Sequence, residues 1–561
     1  MSMWVRAGAA GLLGVGVLGC GSPSAAPSVD AAAADVVAVE SADAAAVTVR
    51  ALELVPREVP RCARAGEVPL RTGDDVDATR CAVLGAREFT DGPRWPSMPA
   101  IKPPVLYVAP DAPPGGDGSQ DNPLRSLAEA VAWLPAARTV VLSRGEHPVA
   151  AAVTLSRDLS IVGGATALVL ARGGPGLVVT APARVALTAI SLRYPPGRSA
   201  EGDVALAVRG GALWMRDVTL DDADVGLEAA GGTVDAERFT VRRSARYGVW
   251  GTANASLAVS DFVVRDGAGQ GIRIEGAHVR LALGLVAGHA RHGVVLLGDP
   301  DATGGVARCR DAAPGALDCI DQLVAQGNGV AALYVAGARR VEVRRSTLAD
   351  TALATIEGGE AGDGLFVGPD ADVSLDPELV TATVRGFGSA LLGNGRVGLL
   401  AQGTRARVSV RGAVFARNAA GGVIIGNRAE APVIGESVFV ENRFGGIVAT
   451  PGAAMGVVQC NGIADTLAGT LRGGTVTVQL ADGVHINAVS GSIALRDNAI
   501  VRSAAFGVLV NAGAVALQNN RGADNRFGVG VYGGATVTGD PSTIVGREAA
   551  PAAAPGLVPG L

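Results

Sequence analysis

"VFARNAAGGVIIGN" (residues 414–427) is followed by "VFVENRFGGIVATP" (residues 438–451), and the two align without a gap. Val414-Phe415 falls on Val438-Phe439, Asn418 on Asn442, Gly421-Gly422 on Gly445-Gly446 and Val423 on Ile447, a step of 24 residues. Self-similarity at such a period marks a stacked architecture, in which each unit buries its apolar face only against the next. Working outward, glycine followed by aliphatic residues recurs as "GVW" at Gly248, "GIRI" at Gly271, "GVVLL" at Gly293, "GLFV" at Gly364 and "GLLA" at Gly398. It returns as "GVHI" at Gly483, "GVLV" at Gly507 and "GVGV" at Gly528. Many intervals are 21 to 24 residues; those of 34 to 37 read as the same unit carrying an insertion. Between anchors, runs such as "SLAVSDFVV" and "TVTVQL" alternate with the period of a half-buried strand.

Helical repeats are excluded, because glycine and β-branched residues are poor helix formers and no helical stripe persists. Three short strands and three turns per unit fit the interval. The expected fold class is all-β: a right-handed parallel β-helix of about thirteen coils, about 4.8 Å apart and about 60 Å long. Val423 and Ile447 should then be neighbours in one interior column. Asn418 and Asn442 should stack at a turn, each amide bonding to backbone or to the next asparagine.

An open stack must be closed at its ends. "DNPLRSLAEAVAWLP" offers Asn122 as N-cap, Pro123 at the first helical position and Pro135 as the stop, with Leu124, Leu127, Val131 and Leu134 on one face. That predicts a capping helix that also holds Trp133. "YVAPDAPPGGDGSQDNPLRSLAEAV", Tyr107 to Val131, resembles the entry motif of right-handed parallel β-helix proteins of the pectate-lyase-like superfamily: Tyr-Val-small-Pro, then Pro123, Ser126, Leu127 and Ala130 in frame. "TVVLSRGEHPV" and "LSIVGG" resemble its continuation, and the later units its generic repeat. The resemblance covers residues 105–545 and implies the fold, while saying little about activity.

Composition narrows the class of function. The chain of 561 residues has 79 glycines, 4% aromatic and 18% charged residues, and a net charge of −5. No domain-wide basic field exists for nucleic acid. Lys102 is the single lysine, so nearly every positive charge is arginine. "MSMWVRAGAAGLLGVGVLGC" reads as an export signal, with Arg6 before an apolar core too short for a membrane span. Its end, Val17-Leu18-Gly19-Cys20, resembles the bacterial lipobox, which makes residues 1–19 a lipoprotein signal peptide and Cys20 the lipid attachment site. The lipid would be the chain's only membrane contact. Residues 20–48, rich in Ser, Ala and Pro, read as a tether. Gly21 and Ser22 lack the inner-membrane retention aspartate, so the resemblance implies a cell-envelope protein at the outer membrane. Residues 49–104 are of unknown fold, and 546–561 read as a C-terminal tail.

An exported chain permits disulfides. Cys309 and Cys319 bracket a Pro/Gly loop, and Cys62 and Cys81 bracket a polar segment, so each pair is a candidate; Cys460 is left over as a small buried residue. Acidic residues gather at Asp370, Asp372, Asp376 and Glu378, an oxygen-rich set that can hold calcium or simply solvate a loop. No other cofactor is implied.

Catalytic patterns are weak. "Gly288-His289-Ala290" lacks the paired aspartates of a polygalacturonase, and "RYPPGR", Arg193 to Arg198, matches a lyase arginine signature but reads as a proline-anchored turn. Arg339, Arg340, Arg344 and Arg345 could face an acidic polysaccharide or stand as solvated edge charges. Tyr247 and Trp250 are the close aromatic pair within the coils, explained equally by packing. No catalytic residue is assigned. The expected function is an envelope-anchored, non-catalytic rod whose insertions, near 299–320, 355–380, 388–396 and 449–482, decorate one flank and bind polysaccharide or an envelope protein. The alternative is a polysaccharide lyase or glycoside hydrolase acting on acidic polysaccharide.

Overall fold

The computed structural model describes residues 103–133, 138–197, 199–298, 318–356, 359–375, 388–473 and 476–552, together with the backbone of an antiparallel hairpin, Glu67–Thr72 with Asp75–Val83. Cys20, the signal and tether, Cys62, Cys309, Asp376 and Glu378 lie outside the described residues, as does the side chain of Cys81. Among the described residues no helix is long and apolar enough to cross a membrane. The chain divides at Ala46/Val47, and residues 47–561 make one compact unit.

The repeat winds into a right-handed parallel β-solenoid of about 15 turns, close to the number expected. Each turn contributes one strand to each of three faces. On the first face, Val397–Gln402 pairs in parallel with Gly421–Gly426, which pairs with Phe444–Ala449, with Val423 opposite Ile447. On the third face, Val414-Phe415 lies opposite Val438-Phe439, and the two phenylalanine rings stack 4.8 Å apart inside the core. The second face carries Arg407–Arg411, Glu430–Gly435 and Ala454–Gln459 in the same register. Val423, Ile447, Phe415 and Phe439 belong to one apolar cluster that runs the length of the stack.

The asparagines form the expected ladder. Asn394 Nδ2 donates to Asn418 Oδ1 (2.9 Å), and Asn418 Nδ2 donates to Asn442 Oδ1 (2.8 Å) and to the Leu391 carbonyl (3.1 Å). All three are buried, so the ladder satisfies amides that would otherwise be orphaned at the corner. The glycine that follows has a steric cause. A Cβ on Gly422 would stand 2.6 Å from the Gly446 carbonyl oxygen and 2.7 Å from the Phe439 ring.

Corners explain the arginines. Ala212–Asp221, Thr233–Arg242 and Ser256–Arg265 each bend from the second face to the third at a left-handed residue: Asp217 (φ 57), Arg238 (φ 51) and Asp261 (φ 49). Acid and arginine meet there from one coil to the next: Arg238 clasps Asp217 through bonds of 2.5 and 2.7 Å. Where the third face turns into the first, Arg243 clasps Asp222 through two bonds of 2.7 and 2.8 Å, and Arg502 clasps Asp465 through bonds of 2.6 and 2.8 Å. A guanidinium fork spans two coils with two parallel bonds, which an ammonium cannot do.

Several expectations need correction. The helix is short, Leu127–Ala132, and its N-cap is Ser126, whose hydroxyl accepts from the Glu129 amide. Leu124 instead bridges Val108 in extended form, so the helix cannot begin at Asn122. Leu127 and Ala130 plug the core, while Trp133 is half exposed. The described strands that precede the insertions do not all lie on one face. Residues 388–396 contain an ordinary third-face strand, Ala390–Leu392, and 355–380 contain two coil strands, Asp363–Val367 and Asp372–Leu375. Two antiparallel hairpins, Ala354–Ile356 with Gly359–Ala361 and Gly469–Gly473 with Val476–Leu480, rise where the third face turns into the first. Residues 299–317 instead follow a first-face strand, and 376–387 a second-face strand. Cys460 is not a small buried residue. It stands half-buried at a left-handed corner and is disulfide-bonded, as is Cys319.

Candidate functional site

On the first face several strands open with, or begin within, a tetrapeptide of the form x-Gly-aliphatic-x: "YGVW" at 247–250, "QGIR" at 270–273, "HGVV" at 292–295 and "DGLF" at 363–366. In a regular strand, residues three apart point to opposite sides. Here the backbone shifts at the glycine. A Cβ on Gly248 would meet Val264 Cγ1, a core atom, at 2.4 Å. The residues on either side of the glycine-aliphatic pair therefore both face out. Tyr247 and Trp250 come together with ring centroids 5.4 Å apart.

Around them is a strip of rings and paired charges. Arg246, from the preceding turn, lies 5.4 Å from the Tyr247 ring and 5.8 Å from the Trp250 ring, and its guanidinium bonds Asp224 at 3.0 Å. Its Nε is buried without a hydrogen-bond partner among the described residues. Arg273, one coil on, lies 5.6 Å from the Tyr247 ring and donates to Glu275 Oε1 (2.9 Å) and Gln270 Oε1 (3.3 Å). That pairing holds the Glu275 carboxyl below its usual range. Glu228 stands opposite Trp250 in register, half-buried, with no ion-pair partner among the described residues.

Further along the strip, Tyr334 and Phe366 stack at 4.7 Å, and the His292 ring meets Tyr334 edge-on at 5.4 Å. Burial, reinforced by Arg291 and Arg273, pushes the imidazole of His292 down to about 4, so it is neutral at pH 7. Beyond Phe366 the strip closes. Leu400, Ile424 and Val448 occupy the same outward register and are buried beneath Leu471 and Leu480 of the second hairpin. The next coil carries Asp482 and His485, joined at 2.9 Å and also buried.

The residues singled out from sequence are mostly placed elsewhere. Among the candidate calcium ligands, Asp370 is bound by Arg405, and Asp372 lies in register between Arg340 and Arg407. The described residues hold no cluster of three or more metal-ligating side chains. Of the arginine-rich stretch, Arg339 is buried on Asp318, while Arg344 pairs with Glu342 and Arg345 with Asp321. His289 packs inside the coil with Nε2 on the Val264 carbonyl. In "RYPPGR", Arg193 pairs with Glu146, and buried Tyr194 donates to the Val204 carbonyl, so the segment is a packed turn. Tyr247 and Trp250, noted in the sequence as a close pair, are brought together across the shift at Gly248. Arg246, Arg273, His292, Tyr334 and Phe366 were not anticipated. For Arg273, His292 and Phe366 the signal was available as the first or fourth letter of a glycine tetrapeptide; Arg246 stands just before one, and Tyr334 lies in "AALY" (331–334), where alanine replaces the glycine.

No family model matches the chain, and no curated protein matches it. Among solved structures it is similar to the A-module of mannuronan C-5 epimerase AlgE6 from Azotobacter vinelandii: 16% identity over 76% of this chain and 93% of that one, TM-score 0.31. It is also similar to the catalytic domain of a GH87 alpha-1,3-glucanase in complex with nigerose (11% identity, 82% of this chain, 70% of that one, TM-score 0.32). A third is pectate lyase Pel9A, at 12% identity over 75% of this chain and 79% of that one, TM-score 0.26. The architecture assigned above rests on the chain's own strand register.

Proposed function

We propose that the open strip of the first face binds a polysaccharide, and that the chain is an envelope-anchored, non-catalytic surface protein held by a lipid on Cys20 near the outer membrane. The observation that carries this reading is the Tyr247–Trp250 pair with Arg246 and Arg273 over its rings. Rings set along the axis of a rigid stack offer flat apolar surfaces to successive sugars, and the arginines and Glu275 offer fixed donors and acceptors at their edges. The acids of the strip support binding over turnover. Asp224, Glu275 and Asp363 are each held by an arginine, which leaves Glu228 as the one described acid of the strip without an ion pair, whereas glycoside hydrolysis needs two carboxyl groups flanking one bond. The test is calorimetric titration with acidic and neutral polysaccharides, alongside an assay for chain cleavage with and without calcium. Saturable binding without cleavage is the expected result. Sustained cleavage of an acidic polysaccharide would replace this reading with the lyase or hydrolase one.

A further inference from the structure

The open strip has two unlike ends. Its central row passes from Trp250 through Arg273, Val295 and Tyr334 to Phe366, one residue per coil in unbroken parallel register. Four steps between coils make that row about 19 Å long. Trp250, Arg273, Tyr334 and Phe366 are each half-buried, so part of every side chain still reaches solvent.

Past Phe366 the row continues as Leu400, Ile424 and Val448, none more than 4% exposed, beneath Leu471 and Leu480 of the second hairpin. Phe366 and Val478 both pack against that cluster, so the strip ends against the hairpin. A β-layer laid on a sheet stands about 10 Å above it, which makes a barrier thicker than a sugar ring. The barrier also turns a corner. The first hairpin, Ala354–Ile356 with Gly359–Ala361, rises where the third face leads into the Phe366 strand, and its second strand touches Gly469–Gly473 of the other hairpin. Arg396 fastens the base of this corner: its Nε donates to Asp363 Oδ1 (2.8 Å), and Nη1 donates to the Glu360 carbonyl.

Nothing comparable stands at the Trp250 end, at least three coils from either hairpin. There Tyr247 and Trp250 lie against Val178, Val204, Ala207 and Val225 of the preceding coils, and the row passes on to Glu228 and Ala207. The strip is thus walled at one end only.

We propose that the strip takes the free end of a glycan chain, its terminal sugar seated on Tyr334 and Phe366 in the corner and roughly three more sugars reaching toward Trp250. This rests on the polysaccharide-binding reading and adds which part of the polymer is held. An internal segment needs room for the chain to leave in both directions, and the paired hairpins remove one of them. The stacked rings of Tyr334 and Phe366, 4.7 Å apart, give the last sugar its platform.

Calorimetry on the full chain tests this, with oligomers of two to eight units of galacturonate, mannuronate and glucose titrated beside their parent polymers. Affinity should rise at least tenfold from the dimer to about the tetramer and then level off, with one protein bound per polymer chain whatever its length. Octamers carrying a bulky blocking group at one terminus or the other supply the sharper contrast. One of the two modifications should weaken binding at least tenfold, and the other should leave it unchanged. Binding that neither block disturbs, or bound protein that increases with polymer length, overturns the chain-end proposal and leaves polysaccharide binding standing. No binding in any of the three series overturns both.

Discussion

Two stretches of the first face share one backbone frame and use it differently. From Tyr247 to Phe366 the outward positions beside the glycine-aliphatic pairs hold Tyr247, Trp250, Gln270, Arg273, His292, Val295, Asp363 and Phe366, mostly rings and polar or charged groups. From Val397 to Val448 the same positions hold Val397, Leu400, Ile424 and Val448, and a hairpin lies over them. The inward positions do not change: Val249, Ile272, Leu365, Leu399, Val423 and Ile447 all fill the bore. The difference teaches that the frame constrains what faces in and leaves the outward pair to be assigned coil by coil, either to solvent and ligand or to a covering element.

The comparison breaks most severely where an outward position is covered. Ile424→Asp places an unpaired carboxylate beneath Leu471 and Leu480, and about 3–5 kcal/mol of stability should be lost, read from the midpoint of urea unfolding. An equal loss for an acidic substitution at half-buried Thr252, on the open stretch, would erase the distinction. Next in size is the shared corner. Asn418→Ala removes the acceptor for two Asn394 donors and a buried donor of its own, and should cost about 2 kcal/mol by the same measurement.

Acid sharpens the contrast within the open stretch. His292 titrates near 4 in the fold and near 6.5 in the unfolded chain. Its contribution is therefore complete above about pH 6.5 and is lost as pH falls toward 4, where the unfolded chain binds the extra proton. The loss should be on the order of 2–3 kcal/mol, and His292→Gln should flatten that part of the stability–pH curve. The smallest effect on stability is expected at the ligand surface. Trp250→Ala should change unfolding by no more than about 1.5 kcal/mol but weaken polysaccharide binding about tenfold, measured by calorimetry.

Much of this molecule was legible in the chain. The match of Val423 to Ile447 and Asn418 to Asn442 gave period, register and corner, because a parallel stack makes sequence neighbours at one repeat into spatial neighbours. The site was less legible. Tyr247 and Trp250 were seen as a pair, but a strand's two-residue alternation puts residues three apart on opposite sides, and only the backbone shift at Gly248 brings them together. Arg273, His292 and Tyr334 come from separate coils, and an insertion between Gly293 and Gly364 obscures their phase. Arg339 misled for another reason. Its neighbours Arg340, Arg344 and Arg345 suggest a basic surface, yet it turns inward, bonding Asp318, the Leu297 carbonyl and the Ala277 carbonyl.

The 24-residue step between Val414 and Val438 also bears on how such a molecule grows. A tandem copy of residues 414–437 would insert one more layer whose upper surface matches the layer it displaces and whose lower surface matches the layer it meets. Length can thus be changed in whole layers, with the asparagine ladder and the phenylalanine stack extended and no new packing problem to solve.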